Sequence, residues 1–229
     1  MMDKSSAFTK LDKFLKTFTS RSYQKNQVLI NAQEEPRGIF YLEKGYVRLY
    51  AISPEGKELT LNIFKPGSLF PLTWAIGRRP NGYFFEAMTI IKVKLVPKNI
   101  FLNFLEDQPG ILRHFTERIL IGLDGFLTRT EYLLFGNAAQ RVSSVLVMMA
   151  KRFGQKNKDD LVEINLPLTH QSIADLAGLT RESTSLEIKK LERKNLIFSS
   201  RKIITIKDLG KVKEICLLCR DEESLPDSF

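Results

Sequence analysis

The sequence predicts an α+β protein with an N-terminal antiparallel β-roll (a jelly roll), a long central helix and a C-terminal winged helix-turn-helix. Three observations predict this class. Short β-rich runs separated by turn residues fill 23–96, and an apolar helical pattern runs uninterrupted from Pro109. Residues 167–206 then contain two short helical patterns, a glycine turn and a hairpin, in that order.

Composition sets the broad class of the protein. The chain has 229 residues, 43% of them hydrophobic, and its formal net charge of +9 favours polyanionic partners such as nucleic acid. The two cysteines, Cys216 and Cys219, are too few for a disulfide scaffold and indicate a reducing, cytoplasmic compartment. No apolar run reaches the roughly 18 residues that a membrane span needs, so we expect no membrane partner; binding of the N-terminal amphipathic helix to a membrane surface is the minor alternative.

The N-terminal part begins with an amphipathic helix, because Leu11, Phe14, Leu15 and Phe18 share one helical stripe. Turns are then expected at 44–45, 53–56 and 65–67, where glycine or proline separates the β-rich runs. We place the β-roll at residues 1–108.

The central helix, predicted for 109–136, carries two apolar stripes and therefore needs two surfaces to pack against. We expect the β-roll on one side and a second copy of the chain on the other, which predicts a homodimer; a monomer with a buried helix is the alternative. The predicted interface residues are Phe115, Ile119, Gly122, Phe126, Arg129 and Leu133. The neighbouring stripe comprises Thr116, Leu120, Leu123, Leu127, Thr130 and Leu134.

The helix-turn-helix is predicted from capping residues and an apolar seam. Thr169 caps the first helix, Gly178 ends it and Thr180 caps the second helix. Thr184, Ile188 and Leu191 would form the buried seam of the second helix. The opposite face of that helix exposes Glu182, Ser185, Leu186, Lys189 and Arg193, with Arg181 at its leading edge.

Residues 181–202 contain seven basic side chains against three acidic ones, an excess that suits a phosphate backbone. Lys189 on the helix is among them, as are Arg201 and Lys202 in the hairpin. The strands of this hairpin are expected at 196–198 and 203–206, with Ser199, Ser200, Arg201 and Lys202 in the turn between them. An ordinary solvated helix face is the alternative explanation of the charge. The combination of turn, caps, seam and hairpin favours binding to double-stranded DNA.

The segment 179–182, Leu-Thr-Arg-Glu, together with the Ser-Thr-Ser that follows, resembles the recognition helix of CRP/FNR transcription regulators. The resemblance implies that Arg181 and Glu182 contact base edges, that Ser185 lies near a thymine or the backbone, and that His170 and Gln171, beside Thr169, reach phosphate. Leu186 replaces the arginine usual in the family and offers only apolar contact, so the operator sequence is not predicted.

Residues 40–50 and 64–70 likewise resemble the family's sensor, a cyclic-nucleotide-binding-type β-roll. Cyclic-nucleotide binders of this type carry a phosphate-gripping arginine, whereas 71–72 and 81–87 here contain none. A cAMP-responsive regulator therefore stays a minor alternative. The four cysteines of the iron–sulfur branch are also missing. Trp74, Tyr83, Phe84 and Phe85 are candidates for an effector pocket, although strand aromatics also form plain core.

These features predict a dimeric sequence-specific transcription regulator with a DNA-binding domain at 137–220 and an acidic tail at 221–229. The resemblance implies a palindromic DNA site, RNA polymerase and an unidentified small-molecule effector as partners. The alternative is an effector-binding module whose winged helix contacts protein. No nucleophile, phosphate-cradling loop or metal-ligand cluster indicates an enzyme, and Cys216 with Cys219 lacks the further ligands that zinc needs.

Overall fold

The computed structural model describes residues 4–200 and 202–217, with side chains from residue 9 onward. Two compact units divide the chain between Leu120 and Ile121, within helix α4 (Pro109–Phe135). This division lies inside the central helix and not at either of its expected ends. It therefore does not test the domain limits 1–108, 109–136 and 137–220, which stay predictions. The first unit also contains α1 (Lys4–Lys16), β1 (Ser20–Tyr23), β2 (Val28–Ile30), β3 (Ile39–Lys44), β4 (Val47–Ile52), β5 (Glu58–Phe64), β6 (Leu69–Phe70), α2 (Leu72–Ala75), β7 (Phe84–Ala87), β8 (Ile91–Val96) and α3 (Lys98–Glu106).

The strands of the first unit form two antiparallel four-stranded sheets, which confirms the β-roll. The strand orders are β1-β8-β3-β6 and β2-β7-β4-β5. The turns lie where glycine was expected. At Gly45 φ is +80°, and an added Cβ would lie 2.5 Å from the carbonyl oxygen of Ile90, so only glycine fits this corner.

The core of the roll is rich in aromatic side chains. Phe40, Phe64 and Phe85 all stack around Phe70, with ring centroids 4.9 to 5.6 Å from it. Phe70 is itself 1% exposed. A second apolar cluster joins helix residues to one of the sheets, and in it Leu11, Leu15, Phe101, Ile111 and Phe115 pack together. This cluster confirms the predicted amphipathic helix at the N-terminus.

Helix α4 begins at Pro109, as predicted, and shows which of its stripes is available to another molecule. Ile119 and Phe126 of the predicted interface are 51% and 53% exposed, but Phe115 and Arg129 are 5% and 6% exposed inside the protomer. Gly122 is also buried and Leu133 half-buried. Phe115, Gly122 and Arg129 are therefore corrections to the predicted interface.

The neighbouring stripe is the more exposed one. Leu120, Leu123, Leu127 and Leu134 are 51% to 68% exposed. Together with Ile119 and Phe126 they form one apolar surface along α4, which we call the α4 seam. The physical reason for the correction is packing within each unit. Phe115 belongs to the apolar cluster of the first unit, and the Arg129 guanidinium donates a hydrogen bond to the Leu176 carbonyl oxygen in the second.

The second unit contains a four-stranded sheet and four helices after α4. Its sheet has the order β11-β12-β10-β9. Asn137 begins the unit's first helix through a capping box with Gln140, which places a helix boundary at the predicted position. The elements are α5 (Ala138–Phe153), β9 (Gly154–Lys156), β10 (Val162–Ile164), α6 (His170–Ala177), α7 (Arg181–Arg193), β11 (Ile197–Ser200), β12 (Ile203–Ile206) and α8 (Leu209–Ile215).

The remaining predictions concern membrane spans, metal ligands, the two cysteines and the acidic tail. Within residues 4–200 and 202–217, no helix has the length and apolar character needed to cross a bilayer, and no cluster of potential metal ligands occurs. Cys216 is a buried free thiol that accepts a hydrogen bond from the Ser144 hydroxyl at 3.3 Å. Cys219 and the acidic tail 221–229 lie outside the described residues.

Candidate nucleic-acid interface and effector cavity

Local capping fixes the turn between α6 and α7. The Thr169 hydroxyl accepts a hydrogen bond from the Ser172 amide at 3.0 Å, and the Thr180 hydroxyl accepts one from the Ser183 amide at 3.2 Å. Gly178 ends α6 in the left-handed region, with φ of 61° and ψ of 41°. These two hydrogen bonds and the left-handed Gly178 confirm the predicted caps and stop, and they set the sharp change of direction of a helix-turn-helix.

Helix α7 has one buried and one exposed face, as the apolar spacing predicted. Thr184 and Ile188 are 0% exposed and Leu191 is 5% exposed. Arg181, Glu182, Lys189 and Arg193 are exposed on the other side, and Leu186 is 60% exposed. A leucine with this much exposed surface on a helix can make apolar contact with another molecule.

The cations of the exposed face are available to an anionic partner. Among the described residues, Arg181, Lys189 and Arg193 make no ion pair or side-chain hydrogen bond, whereas Lys190 pairs with Glu187 at 2.7 Å. Exposed cations of this kind can replace the counterions that surround a phosphate backbone. The exposed face of α7 therefore presents these cations next to the exposed Leu186.

Some of the predicted contact residues bond to one another. His170 Nδ1 lies 2.8 Å from the Ser185 Oγ, which links the start of α6 to α7, and both residues are half-buried. The exposed Gln171 side chain donates to Asp175 on its own helix at 2.7 Å. The His170–Ser185 contact links the two helices, and His170 Nε2 and the Gln171 amide oxygen keep their capacity for an outside partner.

The hairpin after α7 is a wing with a tighter turn than expected. Strands β11 and β12 pair antiparallel from Ile197–Ile206 to Ser200–Ile203. Ser199 and Ser200, expected in the turn, belong to the strand, because their backbones pair with those of Ile204 and Ile203. Exposed Lys202 occupies the turn with φ of 69°. Arg201, predicted to contact DNA, lies outside the described residues.

Arg129 supports the helix-turn-helix from within the second unit. Its guanidinium donates a hydrogen bond of 2.8 Å to the carbonyl oxygen of Leu176, in the last turn of α6, where the helix dipole favours a cation. Burial and the nearby charge of Arg129 lower the pKa of Arg152 to about 10. Sequence reasoning missed this role, because helical spacing alone placed Arg129 in an apolar stripe.

A cavity of about 280 Å³ opens in the first unit, between strands of the roll and the start of α4. The predicted pocket residues Tyr83 and Phe85 line it, together with Phe64, Phe70 and Phe115. Trp74 is instead 8% exposed and has the Lys98 ammonium 4.4 Å from its ring centroid, and Phe84 stacks on Tyr50 at 5.1 Å. Trp74 and Phe84 are therefore corrections: neither lines this cavity.

Two polar groups of the cavity had no signal in the sequence. The Ser68 hydroxyl is buried and has no hydrogen-bond partner among the described residues. Arg118 lines the opposite wall from α4, and burial lowers its pKa from the ordinary value. A run of charged and apolar helix residues does not reveal which one turns into a cavity, so only the folded structure identifies Arg118.

Two family models match the chain in the order of its units. The cyclic nucleotide-binding domain matches residues 20–108, and the Crp-like helix-turn-helix domain matches residues 140–215. The cAMP-activated global transcriptional regulator CRP of Haemophilus influenzae is 26% identical over 86% of this chain and 87% of that protein. The transcriptional regulator SdrP of Thermus thermophilus is 27% identical over 75% and 80% respectively.

Solved structures give the same result. TTHA1359, a CRP/FNR family transcriptional regulator from Thermus thermophilus, superposes with a TM-score of 0.67 at 27% identity, over 86% of this chain and 97% of that one. A CooA mutant from Carboxydothermus hydrogenoformans gives a TM-score of 0.73 at 25% identity, over 88% and 89%.

Proposed function

Because the chain belongs to the CRP/FNR family of transcription regulators, we propose that two copies bind one palindromic DNA site and that an effector in the β-roll controls this binding. The observation that carries the proposal is the exposed face of α7. There, three cations without a partner among the described residues flank Leu186 behind a fully capped turn. Second helices of this motif enter the major groove.

Each contact residue has a distinct role in the proposed complex. Arg181 and Glu182, at the N-terminus of α7, read base edges, with arginine favouring guanine and glutamate favouring cytosine. Leu186 packs on a thymine methyl group. Lys189, Arg193 and the wing residue Lys202 neutralise phosphates, and His170 and Gln171 add phosphate contacts from the start of α6.

Dimerisation through the α4 seam explains its exposed apolar side chains. Leucine and phenylalanine recur along α4 at steps of three and four, a spacing that suits a parallel pair of helices. An apolar surface of this length is costly to leave in water. Two recognition helices related by the dimer axis meet successive major grooves when they lie about 34 Å apart.

Control by an effector requires a site in the β-roll, and the cavity beside α4 is our candidate. The cyclic-nucleotide relatives make cAMP the first ligand to consider, but 71–72 and 81–87 lack the phosphate-gripping arginine of cyclic-nucleotide binders. We therefore keep cAMP as the lesser alternative within the class. RNA polymerase is the partner through which a bound regulator acts on transcription.

Selection of bound sites from random duplex DNA tests the proposal. We expect an enriched inverted repeat with half-sites one helical turn apart, and binding that weakens steeply with salt because phosphate contacts release counterions. Gel-shift titrations of the enriched site against a scrambled duplex measure the preference. Weak binding that is equal on both duplexes contradicts the proposal and favours a winged helix that contacts protein instead.

A further inference from the structure

We propose that the β-roll cavity binds a small aromatic monoanion, such as an aromatic carboxylate, with its ring among the phenylalanines and its anionic group on Arg118. The inference deepens the proposed function, since it rests on the cavity being the effector site. It concerns the chemical class of the ligand, which the family alone does not determine for this chain.

The walls of the cavity select a flat apolar molecule. Phe64, Phe70 and Phe85 form a stack with nearly parallel rings, 11° to 24° apart. Leu49, Leu69 and Phe115 add aliphatic and aromatic surface. Aromatic ligands stack favourably in such surroundings. A volume of about 280 Å³ lies at the small end of ligand sites, so the cavity accommodates one compact molecule.

Arg118 places a positive charge at the cavity, which favours a ligand with a single negative charge. Within the described part of the chain, no carboxylate pairs with it and no hydrogen bond engages it. The Arg118 side chain is half-buried, and the partial loss of water that lowers its pKa carries a desolvation cost. A bound carboxylate would meet the guanidinium through two parallel hydrogen bonds and remove that cost.

Ser68 adds a second polar residue to the cavity wall. Its hydroxyl is buried in the cavity wall without a hydrogen-bond partner among the described residues, and such groups are rare in folded proteins. Apolar side chains dominate the lining, and its polar groups come from Arg118, Ser68, Asn62, Thr73 and Tyr83. This balance suits an aromatic acid with one anionic group and few other polar atoms.

The position of Arg118 also connects occupancy to dimerisation. Arg118 and its neighbour Ile119 lie on α4, where Ile119 both borders the cavity and begins the α4 seam. A ligand that fixes Arg118 therefore restrains the part of α4 that presents Ile119. Binding energy at the cavity can in this way favour one arrangement of the helix pair over another.

Calorimetric titration of the full chain with 2-naphthoate and with the neutral 2-naphthalenemethanol tests the proposal. We expect one naphthoate site per protomer. Arg118→Gln should raise the dissociation constant for naphthoate by about tenfold or more, because a charge-assisted hydrogen bond is lost. The alcohol should bind wild type and variant alike. Arg113→Gln is the matched control, since Arg113 lies on the same helix but pairs with Glu117 in solvent.

A second variant keeps the test decisive if Arg118→Gln fails to fold. Thr73 is an exposed residue that lines the same cavity, so Thr73→Glu adds a negative charge to the cavity wall and should weaken binding of the naphthoate anion but not of the neutral alcohol. Equal naphthoate affinity in both variants and wild type, absence of naphthoate binding at millimolar concentration, or tighter binding of cAMP would overturn the ligand class. Selective DNA binding is measured separately, and none of these three results would contradict it.

Discussion

Replacement of Phe126 by aspartate should separate the two subunits. Phe126 is 53% exposed in the single protomer, so a partner helix that covers it removes about 100 Å² per copy, taking ~200 Å² for the whole side chain. At about 25 cal/mol per Å² this burial contributes about 2.5 kcal/mol per copy and about 5 kcal/mol per dimer. Ordering costs offset part of that gain, and we expect the dissociation constant of the dimer to rise about a hundredfold to a thousandfold.

Sedimentation equilibrium across micromolar concentrations measures this change, and a gel shift on the selected site follows DNA binding in parallel. Ile90→Asp is the matched control, because Ile90 is 65% exposed on the β-roll and is not part of the α4 seam. Circular dichroism should show the same helix content in both variants. If Phe126→Asp sediments as a dimer with the wild-type dissociation constant, the α4 seam is not the interface.

The remaining predictions concern the DNA-binding unit. Arg181→Ala should cost about 1 to 3 kcal/mol and relax preference at one base pair of each half-site; equal losses on all sequences, measured by competition gel shift, would make Arg181 a phosphate contact. Lys189→Ala should weaken binding to all duplexes equally, and it should reduce the slope of log affinity against log salt concentration by about one per subunit. An unchanged slope contradicts the phosphate contact. Thr180→Ala removes the N-cap of α7 and should lower the free energy of unfolding by about 1 kcal/mol in urea denaturation, whereas an unchanged midpoint would show that the cap is dispensable.

Local sequence chemistry predicted much of the DNA-binding unit correctly. Thr169, Gly178 and Thr180 act through hydrogen bonds and backbone conformations that span only three to five residues, so neighbouring residues suffice to predict them. The seam of α7 followed from helical spacing in the same way. The wing was less well predicted, since Ser199 and Ser200 join β11 through pairing with β12, a contact that serine's turn preference does not reveal.

The sequence by itself determined the order of the parts, the caps and turns, the helical period of α4 and the basic excess of residues 181–202. Only the tertiary structure decided which residues of the two adjacent α4 stripes face solvent, because helical spacing does not determine what each residue packs against. It likewise turned Arg129 towards α6 and Arg118 into the cavity. The physical reason is that these orientations depend on packing between segments distant in the chain, such as Phe115 against Phe101.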